Sequence, residues 1–165
     1  MKTVILVRHA KSSWAELGVS DFDRPLNNRG KRDAPEMARR LKKRNIPIDF
    51  FISSPAKRAK MTAQFFAEAY DYKKNNILFV QELYMADTVN FNSVISNSPS
   101  SANSIIIFSH NPGITSFVNT LTGVKVDNMP TCGIFSVSAT CNSWEDFDQA
   151  SKEFLFFDYP KALQE

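Results

Sequence analysis

Along this 165-residue chain, short continuous apolar runs alternate with segments of helical hydrophobic period. Val4-Ile5-Leu6-Val7 is the first run, and its four consecutive aliphatic residues read as a strand buried on both faces. Similar runs recur at residues 49–53, 77–80 and 104–109. Between them lie the stripes Ala34, Met37, Ala38, Leu41, then Ala59, Ala63, Phe66, then Phe91, Val94, Ile95, and finally Ile114, Phe117, Val118, Leu121. Each stripe follows the spacing that puts apolar side chains on one helix face.

The punctuation agrees with these elements. Asn27 or Asn28 can cap the first helix, and Asn45 and Pro47 end it. Pro35 removes a backbone donor inside that helix and predicts a kink or a delayed start. Ser54-Pro55 and Asn111-Pro112 each read as a polar N-cap followed by proline at the first helical position. Gly123 is placed to close the last helix. Residues 133–139 then alternate with period two, and residues 153–158 form a further apolar strand, which predicts a hairpin at one edge with Trp144 near its turn. The element order β-α-β-α-β-α-β-α-β-β implies an α/β fold, a three-layer α/β/α sandwich around a mostly parallel mixed sheet.

Composition narrows the function classes. The length suits one domain over residues 1–165, and 43% hydrophobic with 22% charged residues is ordinary for a globular protein. No apolar run approaches the ~20 residues that cross a bilayer, nor does the N-terminus resemble a signal peptide, so a cytoplasmic protein without a membrane partner is expected. A net charge of +3 is too small to imply nucleic acid, and the 14 phenylalanines fall on core stripes. Cys132 and Cys141 have no metal-type spacing and read as reduced thiols; no metal or other cofactor is expected.

The chemistry gathers at strand ends. Ligands of open α/β sheets bind outside the carboxyl ends of the strands. Arg8 and His9 directly follow the first strand, and His110, the other of only two histidines, directly follows the strand at 104–109. Arg58 falls in the first turn of the helix after the second strand, where its side chain can lean back over the strand ends. Arginines that bind two oxygens each, with the oriented amides of helix N-termini, describe a phosphate or carboxylate pocket. Two histidines within it point further, because a neutral imidazole can attack phosphorus in line and form a phosphohistidine. Lys11 and Ser12 lie near enough along the chain to touch a substrate. Asp23-Arg24 reads as a surface ion pair without a role, Asn111 as a helix cap, and Trp14 and Trp144 as packing residues.

Three segments together carry a family resemblance. Arg8-His9-Ala10 with Lys11-Ser12-Ser13-Trp14, Ser54-Pro55-Ala56-Lys57-Arg58-Ala59 with Thr62-Ala63, and Ser109-His110-Asn111-Pro112-Gly113 resemble, in order, the motifs of the histidine phosphatase (phosphoglycerate mutase-like) superfamily. The short chain is most similar to the SixA-like phosphohistidine phosphatase branch. Ala15 replaces the asparagine that mutases carry after the tryptophan, and there is no room for the helices that lid the mutase site.

The resemblance implies that His9 is the phosphorylated nucleophile and that Arg8, Arg58 and His110 form the phosphate pocket. It also implies a Glu or Asp after the third strand as proton donor, with Glu82 the first candidate and Asp87 the second. An open site suits phosphohistidine in a partner protein of a phosphorelay or phosphotransfer system. A small phosphorylated metabolite is the alternative substrate. A non-catalytic phosphoprotein-binding domain is the alternative from another class, though a reader needs the arginines and not His9.

Overall fold

The computed structural model describes residues 1–162. Six strands form one mixed sheet, β1 (Lys2–Arg8), β2 (Phe50–Ser53), β3 (Leu78–Phe79), β4 (Ser104–Ser109), β5 (Ile134–Ala139) and β6 (Lys152–Asp158), in the order β3-β2-β4-β1-β5-β6. The first four in that order run parallel, and β5 and β6 are antiparallel to their neighbours. The helices are α1 (Asn28–Lys42), α2 (Lys57–Ala69), α3 (Thr88–Ser96) and α4 (Gly113–Leu121). This is the α/β sandwich that the hydrophobic pattern implies, with the two C-terminal strands as an edge hairpin.

Alternate residues of the central strands feed two separate cores. Val4, Leu6, Ile105 and Ile107 pack with Phe91, Phe117 and Trp144 on the face covered by α3 and α4. Ile5, Val7, Ile106 and Phe108 pack with Met37, Phe51 and Phe66 under α1 and α2. Burying such a side chain is worth about 1.5–3 kcal/mol, so a one-residue slip of either strand would exchange the two sets and mispack both layers. The chain leaves β1 toward the α1 face and leaves β4 toward the α4 face. The adjacent ends of these two strands therefore form a topological switch point, where open α/β sheets place their ligands.

Several local expectations change. α1 runs unbroken through Pro35, which lies on its partly exposed side, and Asn27 caps it by accepting from Gly30 N–H at 2.9 Å. The third strand shrinks to two residues at the sheet edge. Neither cap-then-proline pair starts a helix as its sequence suggests: α2 begins at Lys57 with Ala56 before it, and α4 begins at Gly113 after a cis Asn111–Pro112 peptide. Asn111 instead hydrogen-bonds Asn128, Met129 and Thr115 through its side chain. α4 ends on an extended Thr122, and Gly123 does not take the left-handed conformation expected of a closing glycine. Trp144 is buried beside the hairpin and donates its indole N–H to the carbonyls of Pro99 and Ala102.

Gly30 matters for the site because it lets α1 approach the segment after β1. A Cβ there would collide with the Lys11 carbonyl oxygen, which also accepts from Asn27 N–H. Backbone cannot yield as a flexible side chain can. Gly30→Ala should therefore lower stability by about 1–3 kcal/mol, read as a lower urea midpoint with an unchanged slope.

Candidate active site

The β1–β4 register pairs Arg8 with Ser109, which leaves His9 and His110 side by side one residue beyond the paired strands. Their ring centroids are 5.1 Å apart. The segment after β1 is fixed from three sides. His9 N–H donates to Ser109 O, Cys132 N–H donates to His9 O, and Ala10 N–H donates to Thr62 Oγ1 at 3.0 Å. Thr62 in turn donates to the Arg58 carbonyl at 2.8 Å, tying the histidine segment to α2. Few degrees of freedom remain for the His9 backbone.

A cleft of about 690 Å³ opens over these strand ends, and Arg8, His9, Lys11, Ser12, Arg58 and His110 all line it. Glu82 does not. It lies in the short 3-10 turn Gln81–Leu83 and lines a separate groove with Phe50, Leu78 and Asn90, because the turn after β3 carries its side chain away from the cleft. Asp87 does line the cleft, but its carboxylate caps α3 by accepting from Asn90 N–H at 2.9 Å.

The His9 ring has a defined tautomer. Nδ1 lies 2.7 Å from the Ala10 carbonyl oxygen, a partner that can only accept, so Nδ1 carries the proton and Nε2 of the neutral ring keeps its lone pair. Burial, then the neighbouring His110, pulls the His9 pKa well below its ordinary value, and Arg58 and Arg8 push the same way against the Ala10 hydrogen bond. Burial and Arg58 pull His110 down to about 3. Both rings are therefore neutral near pH 7. Burial, with the charge of Arg58 second, also lowers the Arg8 pKa, which shows how closely the two guanidinium groups share the cleft.

Ser54 holds His110, with its Oγ 2.7 Å from Nε2. The same Oγ accepts from Ala56 N–H at 3.2 Å, which ties His110 to the segment leading into α2. Nδ1 of His110, Nε of Arg8 and Nε of Arg58 are enclosed without a hydrogen-bond partner among the described residues. Arg8 is steadied by donating from Nη1 to Met129 O at 2.8 Å.

Four participants give little sign in the sequence. Asp21 receives Arg58 twice, on its backbone oxygen from Nη1 at 2.6 Å and on Oδ2 from Nη2 at 3.0 Å. Tyr84 donates its hydroxyl to the same Oδ2 at 2.6 Å, and that bond, together with Arg58 and Arg24, holds the Asp21 carboxyl at about 2 despite a smaller opposing effect of burial. Arg24 is buried rather than superficial. It pairs with Asp21 and not Asp23, donates to Ser12 Oγ at 2.8 Å, and lies 3.5 Å above the Trp14 ring. Trp14 is an exposed wall of the cleft, not a core residue. Aspartates, tyrosines and arginines in loops are common enough that only proximity distinguishes these four.

Comparison with known proteins agrees with this geometry. Residues 4–83 match the family model of the histidine phosphatase superfamily (branch 1). The crystal structure of a protein assigned as the phosphohistidine phosphatase SixA of Agrobacterium tumefaciens superposes with a TM-score of 0.81 at 25% identity, covering 96% of this chain and 98% of that one. An uncharacterised chloroplastic protein of Arabidopsis thaliana is 29% identical over 88% of this chain and 70% of its own length. Phosphoserine phosphatase 1 of Hydrogenobacter thermophilus is 41% identical over a shorter stretch, 42% of this chain and 33% of that protein. Over residues 4–83 the chain matches the histidine phosphatase superfamily, and its fold is SixA-like along nearly its whole length.

The depressed histidines predict an acid-sensitive fold. An unfolded histidine takes up a proton near pH 6.5, whereas His9 and His110 do not until far lower pH. The unfolded state therefore binds more protons, and stability falls as pH drops from about 6.5 toward 3. Each ring should cost roughly 1–2 kcal/mol between pH 7 and 5, and His110→Asn should lessen that loss in urea titrations at the two pH values.

Proposed function

We propose that this protein is a phosphatase that uses His9 as its nucleophile and acts on phosphohistidine in a partner protein. The observation that carries the reading is the His9 ring, buried beside two arginines, with its Nδ1 proton held by Ala10 O and its Nε2 lone pair free. In the first step Nε2 attacks phosphorus, the new N–P bond forms, and the P–N bond of the substrate breaks as its imidazole leaves with a proton from water. In the second, water attacks phospho-His9 and releases inorganic phosphate with the original ring. Charge on the transferring phosphoryl oxygens is met by Arg8 and Arg58, with the neutral His110 ring beside them. An oxyanion that draws these side chains slightly forward gives acceptors to the two enclosed arginine Nε–H groups, each of which otherwise costs about 1–3 kcal/mol. Lys11 and Ser12 are proposed to border the bound group, Ser12 through its bond to Arg24.

The choice of substrate follows from the acids of the cleft. Asp21 is ionised at any working pH and Asp87 is engaged as a helix cap, so neither is set up to protonate an alkoxide leaving group. Imidazole leaves far more readily than an alkoxide. The mouth of the cleft is flanked by exposed Trp14 and Met85, which favours a side chain presented on a protein surface over an enclosed metabolite. The charge of a bound phosphoryl group is met by the arginines of the cleft, and this scheme routes no step through a metal.

Turnover of a phosphohistidine-bearing protein and of p-nitrophenyl phosphate, both with chelator present, tests the reading. The expected result is rapid phosphohistidine loss, slow ester hydrolysis, and at least about a thousandfold loss of turnover in His9→Ala. Glu82→Gln should leave phosphohistidine turnover within about twofold. Efficient ester hydrolysis would instead indicate a small phosphorylated metabolite as substrate. Phosphate affinity retained without any turnover would indicate a binding domain.

A further inference from the structure

The two terminal nitrogens of Arg58 are held by one residue rather than left free, Nη1 by a backbone carbonyl and Nη2 by the carboxylate, although Arg58 sits where a phosphoryl group must bind. That carboxylate, Asp21, belongs to the 3-10 turn Asp21–Asp23 in the loop after β1, while Arg58 belongs to the first turn of α2. Tyr84, from the turn after β3, donates to the same Oδ2, and Arg24 donates to Oδ1 from Nε at 3.1 Å. Phe22 packs edge-on against Tyr84 with centroids 5.1 Å apart, and Tyr84 lies edge-on to His110 at 5.6 Å. Three separate segments thus converge on one acid, which touches two of the three arginines lining the cleft.

We infer that Asp21 is a positioning and charge-setting residue for phosphoryl transfer: it fixes the plane of Arg58 through Oδ2 and its own carbonyl, and it offsets one of the three guanidinium charges so that the phosphate product is released. This rests on the proposed phosphatase reading. Five N–H donors surround the Arg58 guanidinium, and Asp21 takes two, which leaves three with a fixed orientation. A cleft lined by three guanidinium groups, Lys11 and two neutral imidazoles would bind the phosphate dianion too firmly for turnover, and one anion within hydrogen-bond reach of two of those guanidinium groups weakens it. Tyr84 acts through Asp21 by keeping Oδ2 in place, and it touches no substrate in this scheme.

The two roles separate by substitution. Asp21→Asn keeps an acceptor oxygen for Arg58 and Tyr84 but removes the charge. Asp21→Ala removes both. Inorganic phosphate is the probe, its affinity measured by titration calorimetry at low ionic strength, alongside kcat on a phosphohistidine-bearing protein. Asp21→Asn should bind phosphate roughly fivefold more tightly, the effect shrinking with added salt. Asp21→Ala should bind it more weakly than Asp21→Asn and lose at least about tenfold in kcat, and Tyr84→Phe should fall between wild type and Asp21→Ala in kcat.

A merely structural role cannot tighten phosphate binding, so tighter binding in Asp21→Asn than in wild type, with Asp21→Ala below Asp21→Asn, is the signature. Equal affinities for wild type and both variants, or weaker binding in Asp21→Asn, would overturn the inference while wild-type turnover kept the phosphatase reading intact. Failure of the wild type to bind phosphate or turn over would overturn both.

Discussion

The parallel pairing of β1 with β4 is the constraint on which the rest depends. Val4 to Val7 and Ile105 to Phe108 are fully buried in two cores, one on each side of the sheet, and a slip of one residue from the observed register would satisfy neither. That register sets Arg8 against Ser109, and so delivers His9 and His110 to the same place from positions a hundred residues apart. Because the crossovers leave these two strands on opposite faces, a cleft stays open between the helical layers at their ends. The cleft is a consequence of topology before it is a matter of side chains.

Within the cleft, burial does most of the electrostatic work. Removing two imidazoles from water and placing them near arginines keeps both neutral, since either protonated ring would be poorly solvated and repelled. The arginines stay charged and need partners of their own. Met129 O serves Arg8, and Asp21 serves Arg58 and Arg24. A neutral nucleophile beside fixed positive charge is the combination that phosphoryl transfer asks of a protein.

Much of this was legible along the chain. The four parallel strands, the edge hairpin and the positions of Arg8, His9, Arg58 and His110 follow from apolar runs and from what comes directly after them. The failures share a cause. Ser54 and Asn111 look like helix caps because capping is the commonest local use of such residues, yet each side chain is spent on a partner distant in sequence, Ser54 on His110 and Asn111 on Asn128 and Met129. Glu82 follows the third strand, where the resemblance implies a proton donor, but a single 3-10 turn directs it to another groove. Adjacency in sequence pairs Arg24 with Asp23, whereas its partners in the structure are Asp21, Ser12 and the Trp14 ring.

The sequence by itself determined which segments are strands and helices, which faces are apolar, and which residues emerge at strand ends. Those properties depend on period and on neighbours a few positions away, and the code for them is local. Tertiary structure alone decided which loop residues meet. The convergence of Asp21, Tyr84 and Arg24 on Arg58, the tautomer of His9 and the exclusion of Glu82 all depend on hydrogen bonds only a few ångströms long between segments whose separation is set by the whole sheet. No local pattern encodes a distance of that kind, because it is the sum of every register and crossover between the two ends.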